Sequence, residues 1–251
     1  MFTFPKPPMW NDMPMYKQIG YYKTILTKDY AKYVDKIEVK ELVPGMTGGT
    51  VACTRLIRIL KNPDDIHASD LNTNHMIKAA HGCGWNISIS DTTTVQSVKK
   101  LLHSWNKIFK GVNETHYAYL QPRFFIEEKL DDAVLGLTGN ARVYRFRCIH
   151  GDPISIGVRT EKGHNNYDLN WNPKRKLEVP NLEKPKQLEQ MLEAARQLSK
   201  PFEFVRIDLY LGKDDKIYFN EFTFTPNGGN MFYSMEVEKE YGKLWRDKDV
   251  K

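Results

Sequence analysis

A chain of 251 residues that is 41% hydrophobic can bury a sizeable core as one compact domain or two lobes, which excludes a disordered or low-complexity protein. Its 37 Lys and Arg against 31 Asp and Glu leave a formal charge of +6, which suits nucleotides, nucleic acid or acidic glycans and equally a solvated basic surface. Three scattered cysteines, Cys53, Cys83 and Cys148, offer neither a disulfide framework nor paired zinc-ligand spacing and predict a reducing compartment.

The opening MFTFPKPPMWNDMP is broken by prolines where a signal peptide needs its apolar run, and no stretch approaches roughly 18 apolar residues. The expectation is a cytoplasmic protein with no membrane insertion. Residues 1–34 read as an aromatic N-terminal arm with a helical stretch in MYKQIGYYKTILTKDYAKYV. Residues 75–89 read as strand, turn and strand, with Gly82 and Gly84 marking the turn. From Val95, the spacing of Val98, Leu101, Leu102, Trp105, Ile108 and Phe109 predicts an amphipathic helix. YAYLQPRFFIEEKL (117–130) reads as a strand run, and RVYRFRCIHGDPISIGVRT (142–160) as a hairpin turning at His150 to Pro153. The polar KGHNNYDLNWNPKRK that follows reads as a mobile loop. Within it Lys162, His164, Asn165, Asn166 and Trp171 stand as a candidate substrate lid or as ordinary exposed residues. Leu188, Met191, Leu192, Ala195 and Leu198 predict a second helix between Pro185 and Pro201. Strands alternating with helices, plus adjacent hairpins, predict an α+β or mixed α/β fold without internal repeats.

The closing stretch FVRIDLYLGKDDKIYFNEFTFTPNGG (204–229) reads as a hairpin carrying charges on an apolar background. Strand side chains alternate, so Arg206 and Asp208 share one face while Val205, Ile207 and Leu209 take the other. Glu221 and Thr223 likewise share a face, and the GKDDK turn makes the strands antiparallel neighbours. Buried carboxylates need a cation: either Arg206 satisfies them in a salt bridge, or hard oxygen ligands from two strands hold Mg²⁺, leaving other positions to phosphate and water. Lys78 before the small-residue turn AAHGCGWN could meet such phosphates, although a lysine there also suits a plain hairpin end, and no GxxxxGK[ST] motif occurs. FFIEEKL runs an apolar strand into Glu127 and Glu128, either an adenine-binding edge or a strand leaving the core.

The order DKIEVKELV, HMIKAAHGCGWN, FFIEEKL, FVRIDLY, YFNEFTFTPNGG resembles the ATP-grasp superfamily, and more closely the TupA-like ATP-grasp proteins associated with teichuronopeptide and other surface-polysaccharide biosynthesis. The likeness runs from about residue 30 to the end and includes YRFRCIHGDP and KPKQLEQMLEAARQLSKPFEFVRIDLY. It implies an ATP-grasp fold with ATP held between the antiparallel sheets of two lobes, drawn here as 35–122 and 123–251 after the 1–34 arm. By position, Lys36 and Lys78 resemble the two phosphate-holding lysines, with His81, Gly82 and Gly84 in the adjoining turn. Glu127, Glu128 and the backbone at Lys129 and Leu130 resemble the adenine hinge. Asp208 and Glu221 resemble the magnesium carboxylates, with Glu221 bridging two ions and Thr223 standing where many relatives carry asparagine. Arg206 matches the arginine that steadies a transferring phosphoryl group, and Arg145 stands where the family often has lysine. Arg206, Lys78 and Arg145 are therefore the expected catalytic residues, and ATP with Mg²⁺ the expected cofactors.

What the resemblance implies chemically is a carboxylate–amine ligase acting through an acyl phosphate on a sugar acid, peptide or polysaccharide. Its partners would be carboxylate and amine small molecules or an anionic glycan. A kinase acting on a sugar or modified nucleoside hydroxyl keeps the same ATP site, and a non-catalytic module binding nucleic acid or anionic glycan dispenses with turnover.

Overall fold

A computed structural model describes residues 1–130 and 142–246 of the protein. Residues 131–141 and 247–251, which the sequence assigns to the second lobe, lie outside the described residues. The chain opens with helices α1 (Met15–Ile25), α2 (Ala31–Val34) and α3 (Val39–Thr47), followed by strands β1 (Ala52–Cys53), β2 (Leu56–Leu60), β3 (His75–Ala79) and β4 (Asn86–Ser88). Helix α4 (Val95–Trp105) leads to β5 (Phe124–Glu128), β6 (Val143–Ile149), β7 (Asp152–Thr160) and β8 (Gly163–Tyr167). Helix α5 (Leu188–Ser199), the hairpin β9 (Phe204–Leu211) and β10 (Ile217–Thr223), and α6 (Met235–Leu244) complete the order.

These strands form two sheets. A four-stranded antiparallel sheet has the order β2-β5-β3-β4, and a six-stranded one the order β1-β10-β9-β6-β7-β8, antiparallel except where β1 runs parallel to β10. In the small sheet Ile77, Ala79, Phe124 and Ile126 pack with Val98 and Leu102 of α4, which by alternation turns Lys78, Phe125 and Glu127 to the other face. In the large sheet Val205, Ile207, Leu209, Phe146, Ile156 and Val158 belong to one core with Leu188, Met191, Leu192, Ala195 and Leu198 of α5. Its charged face is thereby left to look the other way. Among the described residues no helix is long and apolar enough to cross a membrane.

The sequence-drawn lobe boundary differs from the sheet membership. Phe124–Glu128, assigned to the second lobe, lies between β2 and β3 in the small sheet because its alternate apolar residues complete the α4-lined core. Helix α4 stops at Trp105, so Ile108 and Phe109 leave the helical face, and Phe109 packs instead edge-on to Trp85 with centroids 5.0 Å apart. The polar stretch after Thr160 is also not a loop throughout. Gly163–Tyr167 pairs with β7, Trp171 stacks on Tyr167 at 4.4 Å, and the Trp171 indole donates to Leu182 O at 2.9 Å. Asn165 carries the following segment by donating from Nδ2 to Val179 O at 3.1 Å and accepting from Glu178 N–H at 2.9 Å. The polar composition that reads as a loop therefore serves ladder and turn hydrogen bonds.

The N-terminal arm belongs to the body of the large sheet. Trp10 Nε1 donates to Trp245 O at 2.6 Å, and the buried Gln18 amide donates to Trp10 O and Gly242 O, each at 3.1 Å. Gly242 of α6 makes this approach possible, since a Cβ there would stand 2.4 Å from Met13 O and 3.0 Å from Met15 N. Both neighbours are backbone and cannot swing away. Gly242→Ala is expected to cost about 2–3 kcal/mol through overpacking, read as a lowered midpoint in urea unfolding.

Candidate active site

The closing hairpin contains one irregularity, and it sets the site. Ile217 to Phe219 pair with Leu211 to Leu209, but the register shifts between Phe219 and Glu221, leaving Asn220 as the extra residue of a bulge. Beyond it Glu221 lies opposite Asp208 and Thr223 opposite Arg206. Without the shift Asn220 would face Asp208 and both Glu221 and Thr223 would point into the apolar core. With it, two rows of polar side chains cross the sheet. Glu221, Asp208 and Arg145 form one, and Thr223, Arg206 and Arg147 form the next.

Within these rows the buried Arg206 grips Asp208 through both ends of its guanidinium, Nε to Oδ1 at 2.6 Å and Nη2 to Oδ2 at 2.7 Å. The same Nη2 donates to Thr223 Oγ1 at 3.0 Å and Glu221 Oε1 at 3.4 Å. Arg145 Nε stands 3.5 Å from Asp208 Oδ2. Burial would lower Arg206, but the Asp208 and Glu221 charges outweigh it and hold the guanidinium above even its ordinary range. Glu221 is pushed up, first by burial and then by the Asp208 carboxylate beside it. One arginine therefore does not neutralise the acid pair. Thr223 Oγ1 accepts from Arg206 and donates to Glu221 Oε1 at 3.3 Å, which leaves it one lone pair beside the acid pair.

Across the cleft Lys78 of the small sheet and Lys40 of α3 form a lysine cluster. Glu127 is buried between Lys78 Nζ at 2.5 Å and Lys40 Nζ at 2.8 Å, and accepts from Thr54 Oγ1 at 2.6 Å. Although burial alone would raise it, these ammonium charges draw the Glu127 carboxyl down to about 2. Burial would likewise lower Lys78, but Glu127 overrides it and the ammonium is raised. Lys36, in the turn before α3, donates to Gly82 O at 2.6 Å and lies 5.2 Å from the centroid of the Tyr117 ring. Its proton is held less tightly than usual because of burial. Lys36, Lys40, Lys78, Glu127, Tyr210 and Asn220 line the space between the sheets, where a cavity of ≈ 20 Å³ remains, room for about one water.

The structure thus brings together Lys36, Lys78, the Gly82 to Gly84 turn, Glu127, Arg206, Asp208 and Glu221, with Arg145 at their edge. It separates others. His81 is fully buried, its Nδ1 accepting from Arg123 N–H at 3.1 Å and its Nε2 meeting Trp105 O at 2.9 Å, so backbone groups occupy both ring nitrogens. That corrects the expected phosphate contact: the histidine fastens α4 to the strand after it. Glu128 pairs with Arg55, and Lys129 donates from Nζ to Ile89 O at 2.5 Å and from its backbone to Asn74 O at 2.8 Å. Leu130 is half-buried at the end of the described segment. Lys40, Thr54 and Glu114 escaped the sequence reading. Lys40 lies one helical turn beyond Lys36, a spacing that could have found it. Glu114, in an irregular stretch without periodicity, faces the Cys83 thiol, which burial and this carboxylate push up to about 12. Its charge also reaches Lys36, Arg206 and Glu221.

Among the described residues no group of three or more His, Cys, Asp and Glu could hold a metal ion. The Asp208 and Glu221 pair, with its excess negative potential, instead fits a hard cation that takes one or two protein carboxylates and completes its shell with phosphate and water. The lysines opposite carry the complementary positive charge.

The Glu127 cluster makes an acid-stability prediction. A carboxyl lowered from 4.5 to about 2 contributes on the order of 3 kcal/mol above pH 4.5, lost as pH falls toward 2. Urea unfolding across pH 7 to 2 is expected to show that decline, and Glu127→Gln to flatten it while costing about 3–5 kcal/mol at neutral pH.

Comparison with known proteins bears on the family and the fold. The family model of the TupA-like ATPgrasp matches residues 18–246. Among solved structures, the D-alanine–D-alanine ligase from Bacillus anthracis complexed with ATP superposes with a TM-score of 0.53 at 14% identity, over 84% of this chain and 62% of that one. The N5-carboxyaminoimidazole synthetase from Staphylococcus aureus gives 0.50 at 11% identity, over 86% of this chain and 52% of that one. An ADP complex of N5-carboxyaminoimidazole ribonucleotide synthetase gives 0.51 at 11% identity, over 84% and 51%. At these identities the likeness shows the fold, and this chain spans less than two thirds of each of those proteins. No curated protein matches the sequence. With the family model spanning nearly its whole length, the chain belongs to the TupA-like ATP-grasp family.

Proposed function

We propose that this protein is an ATP- and Mg²⁺-dependent, ADP-forming carboxylate–amine ligase, and that its acceptor is a sugar acid, peptide or anionic glycan. The observation that carries this reading is the bulge at Asn220, which brings Glu221 onto the face that Asp208 and Arg206 occupy, opposite a lysine cluster made by Lys78 of the small sheet with Lys36 and Lys40 at α3. A polyphosphate is bound best where ammonium groups outnumber carboxylates, at Lys36, Lys40 and Lys78, with the Gly82 to Gly84 turn beside it. Asp208 and Glu221 would hold one or two Mg²⁺ ions, which supply Lewis-acid polarisation of phosphate oxygens when bound.

The chain's own groups do the rest. Arg206, pinned to Asp208, presents a fixed positive charge where negative charge grows on a transferring phosphoryl group. Arg145 adds a second cation beside it. The substrate carboxylate takes the γ-phosphoryl group to give an acyl phosphate and ADP, and the amine then displaces phosphate to form the amide. No protein nucleophile is needed, and the tight packing of the two sheets excludes the water that would hydrolyse the intermediate. Because the remaining space holds about one water, the sheets part to admit nucleotide, and Lys78 exchanges Glu127 for phosphate.

Magnesium-dependent ATP consumption is expected only with both a carboxylate and an amine present, yielding ADP and phosphate, and Glu221→Gln is expected to lower it at least 100-fold. Turnover with a lone hydroxyl acceptor would contradict the ligase in favour of a kinase. The raised Glu221 carboxyl adds a pH prediction. Protons compete with the metal at this group, so the Mg²⁺ requirement measured by ADP titration should rise on acidification at a higher pH than an ordinary glutamate would cause.

A further inference from the structure

Outside the cleft, an open pocket of ≈ 650 Å³ lies beyond the C-terminal end of α4, lined by Trp85, Lys107, Ile108, Phe109, Lys110 and Gly111. None of these residues takes part in the chemistry above, and the volume falls within the range of about 300–1,000 Å³ typical of small-molecule sites. Two aromatic rings wall the pocket as a corner. Trp85 and Phe109 meet at 80° with centroids 5.0 Å apart. Each ring is seated on a bare glycine: a Cβ on Gly82 would stand 2.5 Å from Trp85 Cε3, and one on Gly111 would stand 2.3 Å from Phe109 Cε1. Behind them Trp105 stacks parallel to Trp85 at 5.9 Å, His81 meets Trp85 edge-on at 5.4 Å, and Phe109 packs on Tyr117 at 5.4 Å. The corner is therefore held from several sides, while both of its rings are only half-buried and keep exposed surface.

The polar side-chain groups of the lining are all donors: the exposed ammoniums of Lys107 and Lys110 and the Trp85 indole N–H. Among the described residues neither lysine has a side-chain hydrogen bond or an ion pair. This composition discriminates between ligands. A sugar ring brings hydroxyls that need acceptors as well as donors, and the side chains of the lining offer no acceptor. A planar aromatic ring set against one wall meets the other edge-on, the arrangement aromatic pairs prefer, and a negative group on that ring finds two unspent ammoniums.

We propose that this corner is a binding site for an aromatic anion, a planar ring carrying a phosphate or carboxylate group, with Trp85 and Phe109 holding the ring and Lys107 and Lys110 the charge. The site is separate from the acid pair and rests on no step of the ligase reading. Because Trp85 lies on Gly82, whose carbonyl accepts from Lys36 at 2.6 Å, an occupant of the corner also bears on the glycine turn.

Calorimetric titration of the full chain tests this with two anions, UMP and benzoate, against their neutral counterparts, uridine and benzamide, and against glycerol phosphate, which has charge and no ring. At least one of the two anions is expected to bind tenfold tighter than its neutral counterpart and tenfold tighter than glycerol phosphate. The tighter anion names the source, a nucleoside phosphate or an aryl carboxylate. A Lys107→Glu/Lys110→Glu double variant, altered only at exposed side chains, should lose the preference for the anion while its urea midpoint stays unchanged. Gly111→Ala, which turns the Phe109 ring aside, should weaken the preferred anion at least tenfold. Neutral counterparts that match their anions, or glycerol phosphate that matches both, would overturn the proposal. So would an affinity unchanged in both variants, which would place the anion elsewhere. Octauridylate binding more than a hundredfold tighter than UMP, and losing that advantage in the double variant, would make the surface a groove for single-stranded RNA and likewise overturn the small-ligand site.

Discussion

The bidentate grip of Arg206 on Asp208 is the interaction on which the rest of the cleft depends. Both residues are buried, and removing either would strand a charge at a cost of about 3–5 kcal/mol. The pair is retained on a sheet whose other face is an ordinary apolar core, where a hydrophobic pair of similar volume could be at least as stable. Its value lies in what it orients. Arg206 is locked in one rotamer, aimed along the row toward Thr223 and Glu221, and it leaves the acid pair only partly neutralised.

The two sheets are complementary in charge as well as shape. On one side Lys78 of the small sheet and Lys40 of α3 surround a single carboxylate, and on the other the large sheet turns carboxylates inward around an arginine. Each cluster carries an internal counter-ion, so the closed cleft is tolerable without a ligand. A molecule bearing both polyphosphate and a hard cation satisfies both faces at once. The aromatic arm supports this indirectly, by anchoring α1 and α6 to the body that carries the charged strands.

Much of the fold was legible in the sequence, because its helices and hairpins follow simple periods. The amphipathic spacing of Leu188 to Leu198 and the alternation in FVRIDLY each allow one arrangement, and the structure has it. The Asn220 bulge was not readable as such, yet the shared face of Glu221 and Thr223 was, and the bulge decides which face that is. Long-range choices were hidden. FFIEE joins the small sheet because α4 needs its Phe124 and Ile126, and GHNNY becomes a strand because its asparagines find ladder and turn partners. At the site, His81 looked like a ligand in its turn only because the carbonyl of Trp105, more than 20 residues away, could not be foreseen. Glu114 reaches the cleft through tertiary packing alone, whereas the spacing of Lys40 from Lys36 was a signal that went unread.

The most direct test of the charge-complementary cleft is a crystal structure with Mg²⁺ and a non-hydrolysable ATP analogue. The account predicts phosphates at Lys36 and Lys78, with Lys78 drawn away from Glu127, and density for metal on Asp208 and Glu221 while Arg206 keeps its grip on Asp208. Phosphates bound away from these lysines, or metal density with neither carboxylate in its shell, would contradict it.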